Sequence, residues 1–204
     1  MKWLVVTAFE PFMQESVNSS LKVLEALPEQ VDGVKIFKMV VPVEFYRCIS
    51  VVIEDIERLS PIAVLSLGQA GGRDAITPER IAINIADSKI PDNIGAMPVD
   101  EPINIYGEAA FFSTLPVKEM TEAIQKLGIK AALSNTAGTY VCNYLMYSIL
   151  DFLYENELDI PAGFMHLPYL DEQVKDKPGI PSMSFQALYE GTMAAISAII
   201  KSQL

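Results

Sequence analysis

The sequence predicts a layered α/β protein built on a largely parallel, twisted sheet, and three observations carry that prediction. Short β-branched runs alternate with segments of helical period through most of the chain. The junctions carry helix boundary residues: Pro42, Pro116 and Ser184 at starts, and Gly128 at a stop. With 204 residues, 50% of them hydrophobic and 20% charged, the chain is long enough for one good core, so a single domain over residues 1–204 is expected.

Taken in order, the apolar run at 3–7 reads as the first strand. It carries one lysine nearby, ends at Glu10 and lacks a small-residue cleavage pattern, so it does not read as a signal peptide. A helix is expected at 19–27, a strand at 34–41 and a helix at 43–59, the last with Tyr46, Ile49, Ile53 and Ile56 along an apolar stripe that includes Cys48. Strands at 62–67 and 81–85 follow. Residues 87–107, with Pro91, Gly95, Pro98, Pro102 and Gly107, show no sustained period and read as a long loop, a lid or an assembly element. Beyond it come a helix at 117–127, a strand at 131–134, a helix at 142–154, a strand at 163–166 and a helix at 184–201. A second irregular stretch, 170–181, follows the strand that ends at His166 and is expected to border the same site.

Composition removes several function classes. The net charge is -11, from 15 basic and 26 acidic residues, and no basic block interrupts the pattern, so nucleic acid is not an expected partner. No apolar run reaches the length of a membrane span, so no membrane partner is expected. Two cysteines, Cys48 and Cys142, make no disulfide framework and read as reduced thiols in a cytoplasm. One histidine and two separated cysteines offer no tetrahedral metal site. The glycine-rich run at 68–72 matches neither phosphate-binding fingerprint.

What remains is a thiol and a base. A thiol becomes a nucleophile when a base or positive surroundings remove its proton, and imidazole is the usual base near neutral pH. His166 is the only histidine, so one pairing is on offer. Cys142 follows the small, polar run at 134–139 and opens a helix marked by Leu145, Ile149, Phe152 and Leu153. There the free N–H groups and positive dipole end favour a thiolate and can meet an oxyanion. A third group must fix the imidazole tautomer; Glu79, at the head of the apolar run at 81–85, is the candidate, with a surface ion pair to Arg80 or another base as its plainer reading. Phe9 and Phe12 flank Pro11 on the loop after the first strand, and Cys48 reads as structural.

With these residues in view, the chain closely resembles the pyroglutamyl peptidase I family, also called pyrrolidone carboxyl peptidase. The match is carried by residues 9–12 with Asn18, 68–73, 77–84, 90–93, 114–118, 137–143 and 166–168. The resemblance implies a three-layer α/β/α sandwich similar to purine nucleoside phosphorylases, no cofactor and a homotetramer. It implies Glu79, Cys142 and His166 as the catalytic triad. It further implies that Phe9 and Phe12 help form a slot for the lactam ring, with Gln69, Ile90, Tyr140 and Val141 as neighbours. The chain departs from the family pattern at Met13 and Gln14, where glycines are common, at Ser19 for proline, at Lys89 for arginine and at Tyr140 for phenylalanine. Lys89 does not reproduce a planar bidentate contact.

The expected reaction removes an N-terminal pyroglutamyl residue from peptides through a thioester. An uncharged terminus fits an apolar slot, whereas an ordinary N-terminal ammonium would be left unpaired there, at a cost of several kcal/mol. Two alternatives are a weakened relative that only binds modified peptide ends and a phosphorolytic enzyme suggested by fold and glycine content.

Overall fold

The structure is a computed structural model that describes residues 2–12 and 15–203. Met13 and Gln14, two of the departures noted above, lie outside the described residues. In chain order the elements are β1 (Trp3–Phe9), α1 (Ser19–Ala26), β2 (Gln30–Val31), β3 (Val34–Val41), α2 (Arg47–Leu59), β4 (Ala63–Gln69), β5 (Thr77–Pro78), β6 (Ile81–Ile83) and β7 (Ala110–Phe112). They continue with α3 (Val117–Gln125), α4 (Val141–Glu155), β8 (Ala162–Leu167), β9 (Tyr169–Leu170), β10 (Ser182–Met183) and α5 (Phe185–Ser202).

The main sheet has the order β2-β3-β1-β4-β8-β5. Its centre is parallel, from β3 through β1 and β4 to β8, and both edges, β2 and β5, run antiparallel to their neighbours. Side chains alternate across a strand, and a parallel sheet covered on both faces is apolar on both. Leu4, Val6 and Ala8 of β1 accordingly join a core with residues of α1, α3 and α5, while Val5 and Phe9 join a second core with residues of α2 and α4. This is the expected α/β/α sandwich.

Local chemistry explains the boundaries. Asn18 caps α1 by accepting from the Ser20 N–H at 3.0 Å, and Ser184 caps α5 by accepting from Ala187. The expected helix at 43–59 begins four residues late, at Arg47, because Tyr46 stands just before it at a φ of +65°, which a right-handed helix does not contain. The expected strand at 131–134 is not a named strand; it runs parallel beside residues 76–79 through two isolated bridges, Ile76 with Ala131 and Glu79 with Ser134. The expected strand at 81–85 shortens to β6 and leaves the main sheet to pair antiparallel with β7.

The loop at 87–107 is pinned by a buried carboxylate: Asp92 accepts from the N–H groups of Phe45, Ile94 and Ala96. Among the described residues no helix is long and apolar enough to cross a membrane.

Candidate active site

Three parallel neighbours, β1, β4 and β8, end at one edge of the sheet, and loops beyond strand C-termini are where open α/β sheets bind ligands. The register sets Gly68 of β4 beside His166 of β8, on the face covered by α4. Cys142 lies in the first turn of α4, directly after Val141. Its sulfur stands 3.1 Å from the point a Cβ on Gly68 would occupy, so the thiol packs over the backbone position paired with His166. Among the described residues no hydrogen bond joins thiol and imidazole; catalytic hydrogen bonds often tighten only when substrate binds.

Asn143 fixes the helix that carries Cys142. This buried side chain accepts from Ile83 N–H at 3.0 Å and donates to the carbonyls of Ile83 and Ile85 at 2.9 and 3.0 Å. The start of α4 is thereby tied to β6.

The antiparallel edge strand explains Glu79. Thr77 pairs with His166, and two residues on, Glu79 lies diagonally across from it, within reach of its ring. Glu79 Oε1 contacts His166 Nδ1 at 2.7 Å, with both side chains buried. The same oxygen accepts from Arg73, whose guanidinium also donates to Thr77 and to the Thr136 carbonyl in the segment leading to Cys142. Glu79 therefore pairs with Arg73, not with Arg80, which is exposed. Its second oxygen is buried with no partner among the described residues. With Nδ1 turned to Glu79, the imidazole presents Nε2 to the substrate side.

A small cavity opens beside the thiol, lined by Phe9, Phe12, Asn18, Val43, Gln69, Tyr140, Val141 and Cys142, with a free volume of about 40 Å³. That holds about three water-sized groups, the scale of a five-membered ring. Gln69 is held by its oxygen, which accepts from Ser19 N–H at 2.8 Å and Gln173 at 2.9 Å. A proline in place of Ser19 would lack that N–H donor. Tyr140 donates to the Pro91 carbonyl at 3.0 Å, a bond phenylalanine does not make. Ile90 does not line the cavity; it is 36% exposed on the 87–107 loop. The stretch at 170–181 does border the site, through Gln173.

Burial pushes the Cys142 thiol up to about 12, helped by the Glu79 charge and opposed by Arg73. Burial also draws His166 below its ordinary value, against the hydrogen bond and charge of Glu79. The sequence reading expects a thiolate; here burial acts against ionisation of the sulfur, while the Arg73 charge and a backbone hydrogen bond act for it. Burial raises Cys48 as well, and it lies in the core. Among the described residues no group of three or more histidine, cysteine or acidic side chains is gathered for a metal.

A family model described as pyroglutamyl peptidase matches residues 1–202. The chain belongs to that family. The peptidase is 51% identical over 199 residues to pyrrolidone-carboxylate peptidase 2 of Caldanaerobacter subterraneus subsp. tengcongensis, covering 98% of this chain and 97% of the relative. It is 52% identical over 198 residues to the pyrrolidone-carboxylate peptidase of Thermoanaerobacter sp. strain X514, covering 97% and 98%. Among solved structures, the crystal structure of pyroglutamyl peptidase I from Bacillus amyloliquefaciens superposes with a TM-score of 0.95 at 39% identity, covering 100% of this chain and 98% of that one.

Two side chains of the peptidase's site, Arg73 and Asn143, are not singled out by the sequence reading. Arg73 closes the glycine-rich run and Asn143 follows the nucleophile candidate, but the Asn143 partners and the Thr136 carbonyl bound by Arg73 come from distant segments.

Proposed function

We propose that this protein removes N-terminal pyroglutamyl residues from peptides through a thioester, with Cys142 as nucleophile, His166 as proton carrier and Glu79 as its orienting partner. The observation that carries the reading is the 2.7 Å Glu79–His166 contact, with a sulfur packed over Gly68, the strand partner of His166, at the mouth of a small, mostly apolar cavity.

His166 takes the thiol proton as sulfur attacks the carbonyl linking the cyclic residue to the next one. Free N–H groups in the first turn of α4 support the developing oxyanion. The imidazolium, steadied by Glu79, passes its proton to the departing amine as the C–N bond breaks. Water, losing a proton to His166, then cleaves the thioester and releases pyroglutamate. No cofactor enters these steps.

Phe9, Phe12, Tyr140 and Val141 supply an apolar wall and Gln69 a polar group, which suits an uncharged lactam and disfavours an ammonium. Ile90 is read as a rim contact. The family match favours this enzyme over a binding-only relative or a phosphorolytic one.

We also read residues 1–204 as one catalytic domain, because both helical layers share one sheet, and the protein as a cytoplasmic homotetramer without nucleic-acid or membrane partners. Exposed Ile94, Val99, Ile105 and Tyr106 support an assembly role for the 87–107 loop, which light scattering checks.

The direct test is hydrolysis of a fluorogenic pyroglutamyl amide by the purified protein. Activity should vanish in Cys142→Ala, persist in Cys48→Ala and be far lower on glutaminyl or alanyl amides. Comparable rates on all three amides would refute the slot assignment.

A further inference from the structure

We propose that the cleft beside the slot, lined by Phe12, Glu15, Pro91, Asn93, Tyr169 and Lys177, receives the leaving peptide and favours a C-terminal carboxylate there through Lys177. The inference rests on the reading above and extends it to the other side of the scissile bond.

Continuity comes first. The cleft has a volume of about 750 Å³ and shares Phe12 with the small cavity. Phe12 and Tyr140 meet at 6.2 Å between ring centroids, and the Tyr140 hydroxyl bonds to Pro91, so the wall of one is the rim of the other. The small cavity suits one ring; the larger one suits a short peptide.

Direction comes from the proton. A general acid must reach the amine it protonates, so the leaving chain departs on the side of His166. Tyr169 lies three residues beyond His166. Its ring sits 2.5 Å from the point a Cβ on Gly71 would occupy, three residues beyond Gly68. The strand ends that bring thiol and imidazole together therefore continue into the floor of this cleft.

Charge supplies the selectivity. Among the described residues lining the cleft, Lys177 is the one cation, in a chain of net charge -11. Its amine lies 5.3 Å from the centre of the Tyr169 ring and 2.6 Å from Glu15, and its side chain is 43% exposed. An ammonium has three donors, so it can take a peptide carboxylate beside Glu15 or in its place. The other acid in the cleft, Asp92, is occupied by three backbone N–H groups.

The test compares kcat/KM for pyroglutamyl-alanyl-alanine and its C-terminal amide in the wild type, Lys177→Gln and Glu15→Gln. Lys177→Gln should lower the acid-to-amide ratio by about two- to fivefold, and Glu15→Gln should raise it, the range of an exposed ion pair. Both shifts should shrink towards none at about 1 M salt. An unchanged ratio in both variants, with the wild type cleaving both peptides, overturns this inference alone. A wild type that cleaves neither peptide overturns the proposed function itself.

Discussion

Replacing Gly68 with alanine presses on Cys142 and on Phe164, the ring packed against His166. The added Cβ would stand 2.7 Å from Phe164 Cζ, 2.8 Å from its Cε1 and 3.1 Å from Cys142 Sγ. Non-bonded carbons rest about 3.5–4.0 Å apart, so the ring must retreat by about 1 Å. It has little room to do so. Phe164 is fully buried, with its ring centroid 4.8 Å from His166 and 6.3 Å from Phe9. The displacement therefore passes to the imidazole, the slot wall or the sulfur. Overpacking of this kind costs about 1–3 kcal/mol of stability, and a misplacement of about 1 Å at a reacting group can cost about 10²-fold in rate. The assay is kcat/KM on a fluorogenic pyroglutamyl amide, with urea unfolding measured in parallel. Gly128→Ala is the control: its φ of +74° strains any side chain, but nothing lies within 4 Å, so it should cost about 1–2 kcal/mol and leave turnover intact. A folded Gly68→Ala protein with wild-type kcat/KM would refute the placement of Cys142 and His166 around this residue.

Arg73→Gln should lower kcat/KM and destabilise the fold by roughly 3 kcal/mol, because it strips a cation from the buried Glu79; the lower end of the usual range applies since Arg73 is 27% exposed. Arg73→Lys should not restore activity, since one amine cannot span Glu79 and the Thr136 carbonyl together. Iodoacetamide should alkylate Cys142 slowly at neutral pH and faster as pH rises, following a thiol pushed up to about 12; a rate already flat below pH 7 would reveal a resting thiolate. Protonating His166 removes the base, so kcat/KM should fall on the acid side, with a midpoint below about 6.5 because burial lowers this histidine. A midpoint above that value would contradict the assignment.

Much of the frame is legible in the chain because its signals are local. Apolar alternation and boundary residues place the strand that ends near His166 and the helix that begins near Cys142 within about a residue of where they lie. Glu79 is legible as buried because apolar residues follow it. The remaining features depend on how the folded chain turns its residues inward or outward. Helix α2 starts late because Tyr46, just before it, is held at a φ of +65°, a conformation its side chain does not announce. The base beside Glu79, left open as Arg80 or another, is Arg73: Glu79 turns inward and Arg80, the next residue, turns to solvent. The depth of burial at Cys142 is not legible either, because local sequence shows the helix terminus but not the apolar residues that close around the sulfur.

The central claim is that Cys142 carries the pyroglutamyl group as a thioester, formed with the help of His166. Mixing enzyme with a pyroglutamyl amide, quenching in acid and mapping the adduct by peptide mass spectrometry tests it most directly. The account predicts one pyroglutamyl group on the peptide containing Cys142, with the adduct absent in Cys142→Ala and strongly reduced in His166→Ala. An adduct on Cys48, or turnover that persists in Cys142→Ala, would contradict it.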